Sequence, residues 1–231
     1  TITGNRVFLR GDSLLLSNGE ELGGLIQIGG SWQNSNKDIR QSQYTYLEDS
    51  VFLDTSSKKG EGGIIVIWSD ITNKKGLTKV YGTLISNGNK AGKIETSGAN
   101  LDVKNIKINL KSEKGNDGLW LLDPFNYEIN ETTKVAIEEA LKDGVNVIIT
   151  TSNKLNFDLD PNENQITFFN NYSDDRASED GDIIVSSDLD YSQGQGLLEL
   201  IADNELKINS EIKTGSGGLS INAPGGLTGN G

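Results

Sequence analysis

The chain has 231 residues and a net charge of −12; 34% of it is hydrophobic, only 6% is aromatic, and 28 residues are glycine. Cysteine, histidine and methionine are absent, which excludes a disulfide framework, a cysteine-rich zinc site and imidazole-based catalysis. The acidic balance argues against a nucleic-acid backbone or an anionic membrane surface as partner, and no apolar run approaches the length of a membrane span.

In chain order, Ile2 to Ile28 reads as three short strands, Val7–Leu9, Leu14–Leu16 and Leu25–Ile28. They are divided by Gly11-Asp12, Asn18-Gly19 and Gly23-Gly24, pairs that turn cheaply because glycine and asparagine tolerate positive φ. Arg10-Gly11-Asp12 has the composition of an integrin-type ligand, and also that of an ordinary charged turn. From Trp32 to Tyr44 the run is polar and unpatterned, which predicts a bulging loop. Strand character resumes at Tyr46–Leu53, with Leu47, Val51 and Leu53 as core candidates. Ile64–Trp68 is the most apolar run and reads as a strand buried on both faces or covered by a neighbouring loop.

Leu77–Ser86 and Ile94–Leu110 continue the pattern. Leu101 and Val103 alternate correctly for one face, as do Ile106, Ile108 and Leu110, but the parity slips between the two sets, which predicts a corner at Lys104-Asn105. Glycines that open strand-like units recur at Gly24, Gly63, Gly92, Gly118, Gly181, Gly196 and Gly218, at irregular intervals. Strands that bend sharply and restart suit a coil wound around its own core. The fold class expected is therefore all-β, a parallel β-solenoid forming a single unit over 1–231. It would have roughly ten coils of about 20–25 residues, each rising about 4.8 Å.

The widest glycine interval holds the exceptions. Thr132–Asp143 is the one good helix candidate, in an insertion of about 128–144, with Thr132 or Thr133 as cap, Val135, Ile137, Ala140 and Leu141 on one face, and Gly144 as stop. A helix this short cannot fold alone, so it should lie against the coil and cover one side. Strand pattern follows, with Leu155, Phe157 and Leu159 inward. An acidic loop at about 170–182 comes next, and IIVSS, LLELIA, ELKINSEI and GLSIN close the chain as strands.

Site chemistry is sparse. Asp174, Asp175, Glu179 and Asp180 are the candidate calcium ligands, hard oxygens that match neither an EF-hand nor a glycine-aspartate nonapeptide, so the ordinary reading is a solvated loop and no cofactor. Asp123-Pro124 and Asp160-Pro161 each end a strand with a turn. Trp32, Trp68 and Trp120 have the makings of a sugar-stacking platform, but each lies in or beside an apolar strand and reads as core. Gly215-Ser216-Gly217-Gly218 is not a phosphate loop, since no lysine follows in the right spacing. Asn130-Glu131-Thr132 and Asn171-Tyr172-Ser173 are N-glycosylation sequons, which makes Asn130 and Asn171 modification candidates.

Four ordered segments, GGLIQIGGSWQ (23–33), GEGGIIVIWSD (60–70), GKIETSGANLDV (92–103) and GLWLLDPFNYEI (118–129), resemble coils of the large exoproteins of filamentous-haemagglutinin type that are secreted by the two-partner route. GVNVIITTS extends the likeness to Ser152. The resemblance implies a right-handed parallel β-helix and a non-enzymatic adhesin, extracellular or at the bacterial cell surface. Its partners would be an outer-membrane translocator during export and a surface receptor, a glycan or a second copy. It also makes glycosylation at the sequons an expectation. The amino-terminal Asn-Pro-Asn-Gly element of that family is missing, so secretion recognition is not assigned here. With no initiator methionine or signal peptide, the chain reads as an internal piece of a longer protein. The alternative, a polysaccharide-binding or polysaccharide-cleaving β-helix protein, rests on fold analogy and the acidic loop.

Overall fold

The computed structural model describes residues 1–113, 118–151 and 180–229, together with the backbone of strands at 157–158 and 167–168. The chain is mostly strand, with one α-helix, Lys134–Lys142, and a 3-10 turn at Trp32–Asn34. The largest sheet has seven strands, in spatial order Leu25–Ile28, Ile64–Trp68, Lys93–Ser97, Leu119–Asp123, Asn146–Thr150, Leu198–Ile201 and Leu219–Asn222. Every pairing in it is parallel, and its spatial order is the chain order. Each strand therefore pairs with its own counterpart one pass of the chain later.

Two further parallel sheets accompany the first four passes. One holds Arg6–Leu9, Tyr44–Leu47, Leu77–Val80 and Asn100–Asp102; the other holds Leu14–Leu16, Phe52–Asp54, Thr83–Ile85 and Lys107–Asn109. The corner anticipated at Lys104-Asn105 separates Asn100–Asp102 from Lys107–Asn109, and Asn105 makes it with a left-handed φ of 62°. A fourth parallel sheet holds Tyr127–Ile129, Ile183–Val185, Leu206–Ile208 and Leu227–Gly229, and Leu189–Asp190 pairs in parallel with Ile212–Lys213. The one antiparallel pair among the described strands is Phe157–Asp158 with Thr167–Phe168; the side chains of Leu155, Phe157 and Leu159 lie outside the described residues.

Parallel register stacks like on like. Ile26, Ile65, Ile94, Trp120, Val147 and Leu198 form one inward row of the seven-stranded sheet, and Ile28, Ile67, Thr96, Leu122, Ile149 and Leu200 the next. All twelve are buried, and all but Thr96 belong to one apolar core that also takes in Leu47, Val51, Leu53, Leu84 and Leu110. Each fully buried branched side chain contributes about 1.5–3 kcal/mol relative to exposure. The outer face of the same sheet is covered as well: Val66, Trp68, Leu121, Ile148 and Ile201 pack with Trp32 and Ile71 in a second apolar cluster. That accounts for the unbroken apolar run Ile64–Trp68. The loop at 32–44 does not simply bulge away, since its first residues fold down as a flap over this face.

Seven strands, not about ten, make the longest described stack, which at about 4.8 Å per pairing spans roughly 29 Å. The pass from Leu25 to Ile64, which carries the flap, is longer than the expected spacing, whereas the pass from Leu198 to Leu219 keeps it.

The helix also differs from expectation. It packs on Asn146–Thr150, Lys107–Asn109 and Leu189–Asp190, so it stands within the stack where other passes have their second strand, instead of covering a side. The first two sheets end before it, with Asn100–Asp102 and Lys107–Asn109; one new sheet opens at Tyr127–Ile129 just ahead of it and another at Leu189–Asp190 after it, while the seven-stranded sheet runs through. Its buried face is Ala136, Ile137, Ala140 and Leu141; Val135 is half exposed, because two residues along a helix turn a side chain about 200° from Ile137. Neither Thr132 nor Thr133 caps it by side chain in the expected way. Asn130 Oδ1 accepts from the backbone N–H groups of Thr132 (3.0 Å) and Thr133 (3.2 Å), and the Thr133 hydroxyl accepts from Asn130 N–H (2.9 Å) while donating to the Glu128 carbonyl (2.8 Å). Replacing Asn130 with alanine should cost about 1 kcal/mol in chemical denaturation.

Candidate functional site

The most unusual chemistry lies on the covered outer face of the seven-stranded sheet. Glu95 and Ser97 point outward from one strand and Asp123 from the next, since Glu95 pairs with Leu121 and Ser97 with Asp123. Glu95 is 0% exposed and Asp123 is 2% exposed. Gln33, in the flap, reaches both: its backbone N–H donates to Glu95 Oε2 (2.9 Å), and its side-chain amide donates to Glu95 Oε1 (3.1 Å) and to Asp123 Oδ2 (3.3 Å). The Ser97 hydroxyl adds a bond to Glu95 Oε1 (2.9 Å). Gln33 and Asn34 take left-handed φ values of 48° and 50°, a cost that the flap meets to bring the Gln33 amide over the carboxyl group.

Burial pushes the Glu95 carboxyl up to about 8, helped by the neighbouring Asp123 charge and opposed by the donors from Gln33 and Ser97. At neutral pH Glu95 is thus mainly a neutral acid. With no exposed surface on Glu95 and almost none on Asp123, the group holds the flap to the sheet.

This cluster is assembled from the motif segments. Gln33 ends the first, Glu95 stands in ETSG and Asp123 in WLLDP. Asn126, the last residue of DPFN, accepts from the backbone N–H groups of Gly181 (2.8 Å) and Asp182 (2.9 Å), and donates to Asp180 (3.0 Å), fixing the chain where it returns to the stack. Asp123 therefore does more than end a strand. No family model matches the chain, and no curated protein matches it. The likeness to haemagglutinin-type exoproteins rests on the motifs, and their polar residues serve internal architecture.

Of the calcium candidates, Asp174, Asp175 and Glu179 lie outside the described residues, as does Asn171. Asp180 is half buried, bonded to Asn126 and 3.5 Å from the Lys74 ammonium. Among the described residues no group of acidic side chains is arranged to hold a metal ion. Asn130 is occupied through its Oδ1 at the helix start. The tryptophans are core, with Trp32 at 4% and Trp68 and Trp120 at 0% exposure, so they form no sugar platform. The Trp68 indole donates to Gln41 (2.9 Å) and that of Trp120 to Thr96 (3.1 Å).

A second arrangement is on the surface. On the outward face of the sheet that begins with Arg6–Leu9, Phe8 lies opposite Tyr46, which lies opposite Lys79, and Arg6 lies opposite Tyr44. Phe8 is 45% exposed, and its ring centroid is 5.2 Å from Tyr44 and 6.4 Å from Tyr46; Tyr46 is 5.8 Å from Tyr81. The Arg10 guanidinium lies over Phe8 (4.9 Å) and Tyr46 (5.8 Å), and the Lys104 ammonium over Tyr81 (5.2 Å). The Tyr81 hydroxyl donates to Asp102 (2.6 Å). Arg6, Phe8, Gln43, Tyr44, Lys75 and Leu77 line an open cleft of about 460 Å³. Arg10-Gly11-Asp12 borders this face as an exposed turn, its arginine held on the aromatic rings and the Gly11 N–H bonded to Glu48 (2.6 Å).

Neither arrangement was singled out from sequence. The signal for the second was present: in Val7–Leu9 and Tyr44–Leu47 the aromatics fall at the parity opposite to Val7, Leu9 and Leu47, the solvent parity. On the far sheet, Lys207 pairs with Asp182 (2.8 Å) and Glu205 (3.0 Å). Burial pushes Asp182 up, but the bonds from Lys207 and Asn204 outweigh it, and both carboxyls are held below their ordinary values. Neither is poised to act as a general acid.

Proposed function

We propose that the chain is a segment of a right-handed parallel β-helix belonging to a secreted, cell-surface exoprotein of haemagglutinin type, a non-enzymatic rod that holds adhesive surfaces away from the cell. The observation that carries this reading is the placement of the four motif segments. Their strands, Leu25–Ile28, Ile64–Trp68, Lys93–Ser97 and Leu119–Asp123, are consecutive neighbours of one sheet, stacked in register. Successive motifs one pass apart are the signature of a coil that repeats along an axis. The right hand follows from the strong preference of crossovers between parallel strands. Export would use an outer-membrane translocator of the two-partner type, and the absence of cysteine suits a chain that crosses membranes unfolded.

The adhesive part of the reading draws support from the outward aromatic and cationic face. The cleaving alternative would need carboxyls poised for proton transfer beside an open groove. Among the described residues, the carboxyl with the raised value, Glu95, is sealed under the flap.

Antibodies raised against the segment should label intact, unpermeabilised source cells or the culture fluid. Labelling that appears only after lysis overturns the surface reading. Depolymerisation of polygalacturonate or a similar acidic polysaccharide by the purified chain, lost on changing Asp174 and Asp175 to asparagine, would favour the enzyme.

A further inference from the structure

We infer that the outward face formed by Arg6–Leu9, Tyr44–Leu47 and Leu77–Val80 binds an acidic polysaccharide, a sugar chain bearing carboxylates. The inference rests on the adhesive reading above and names its ligand class. Three observations converge on it.

The first is exposure. A large aromatic side chain on the solvent parity of a sheet gives up most of the burial that makes it valuable, yet Phe8 does so, in ring contact with the half-buried Tyr44 and Tyr46, the latter in turn against Tyr81. The inward parity of the same strands is filled by Val7, Leu9, Leu47 and Val80, so these rings are not needed in the core.

The second is charge. In a chain of net charge −12, this face carries Arg6, Arg10, Lys75 and Lys79, and none of the four takes part in an ion pair among the described residues. Lysines on other faces are mostly paired with neighbouring carboxylates, as Lys58 and Lys59 are with Glu20. Arg10 rests on the rings, and Asp102, opposite Lys79, is engaged by Lys104 and Tyr81; cations without a carboxylate partner, concentrated on one face of an acidic protein, create a local field that selects an anion.

The third is form. The cleft beside Phe8 is open and lined from three successive passes, and the rings in it belong to adjacent strands about 4.8 Å apart, a spacing comparable to one sugar ring. The C–H faces of a pyranose are apolar and lie against aromatic rings, while its carboxylate projects from the ring edge. Arg6 and Lys75 line the cleft together with Phe8 and Tyr44. An acidic peptide would use the cations without the rings. A nucleic-acid strand would use both, but its denser charge meets the repulsion of the acidic remainder of the chain.

Affinity electrophoresis of the purified chain tests this directly. Migration should be retarded in gels containing polygalacturonate and unaffected by neutral dextran, and the retardation should diminish with salt. Phe8→Ser and Arg10→Gln should each weaken binding roughly tenfold, the first through lost stacking and the second through a lost cation. Both positions are exposed, so the fold should survive, which circular dichroism checks. Lys58→Ala combined with Lys59→Ala, on a different face, should leave binding unchanged. The proposal is overturned by the absence of retardation, by equal retardation in polyglutamate, by tighter binding to a single-stranded oligonucleotide, or by the Lys58/Lys59 variant losing as much as the Phe8 variant. Any of these would leave surface labelling of the source cells as it was, so the failure of the ligand assignment is separable from that of the exoprotein reading.

Discussion

The folded chain should lose stability steadily as the pH rises from about 5 to about 8, and Glu95→Gln should remove that loss. The Glu95 carboxyl has an ordinary value of 4.5 when the chain is unfolded and about 8 when it is buried under the flap. Below 4.5 it is protonated in both states and contributes no slope. Between the two values the folded state keeps a proton that the unfolded state has released, so unfolding is increasingly favoured, by about 1.4 kcal/mol per pH unit. Above about 8 the carboxylate is ionised in both states and the loss is complete. The test is unusually clean because the chain contains no histidine and no cysteine, the side chains that ordinarily titrate between pH 6 and 8. Urea denaturation at several pH values, for the native chain and Glu95→Gln, gives the two slopes. A native chain as stable at pH 8 as at pH 6 would mean that Glu95 is ionised in the fold. Glu95→Ala is the informative companion: it deprives the Gln33 and Ser97 donors of their acceptor, so it should destabilise at every pH and loosen the flap.

The sequence made the strands legible and left the polar interior hidden, for a definable reason. Apolar residues such as Ile64–Trp68 or Ile106, Ile108 and Leu110 announce burial by composition and parity, and the slip at Lys104-Asn105 placed a corner between two sheets. The passes were harder to count, because the length of a loop between strands does not reveal whether it leaves the stack or, like Trp32–Asn34, folds back over it. Glu95 stands at the outward parity of its strand, where a carboxylate ordinarily meets solvent. What buries it is a flap some sixty residues away whose Gln33 supplies the donors, and a pairing of that kind has no local signature. The same holds for the helix: its apolar face was readable, but that it replaces a strand follows only from where the sheets on either side stop. In the aromatic face the signal was local and was missed, because Phe8, Tyr44 and Tyr46 sit where polar residues ordinarily stand.

Gly63→Ala should abolish cooperative folding or lower the melting temperature sharply, although one methyl group is all that it adds. Gly24, Gly63, Gly92 and Gly118 were conspicuous as the openings of strand-like units, and in the fold they stand directly over one another at the entrance to the seven-stranded sheet. The reason is proximity, since Gly63 does not use positive φ. A Cβ on Gly63 would lie 1.9 Å from the Gly24 carbonyl oxygen and 2.7 Å from its nitrogen; one on Gly92 would lie 2.1 Å from the Gly63 oxygen, and one on Gly118 2.5 Å from the Gly92 oxygen. Neither side can yield cheaply. The Gly24 oxygen accepts from Ile64 N–H (2.9 Å), the Gly63 oxygen from Lys93 N–H (3.0 Å), and Gly63 N–H donates to the Thr55 carbonyl (2.8 Å), so moving any of these groups breaks the ladder that joins the passes. Overpacking between side chains costs about 1–3 kcal/mol, and a clash of backbone with backbone should exceed it, against a total stability of about 5–15 kcal/mol for a typical domain. Gly11→Ala is the control. Gly11 has a φ of 59° but nothing within 4 Å of the added methyl group, so only the left-handed conformation is penalised, by about 1–2 kcal/mol. Thermal melts followed by circular dichroism should therefore rank Gly63→Ala far below Gly11→Ala. If the two melted together, close backbone approach between successive passes would not be what holds the stack.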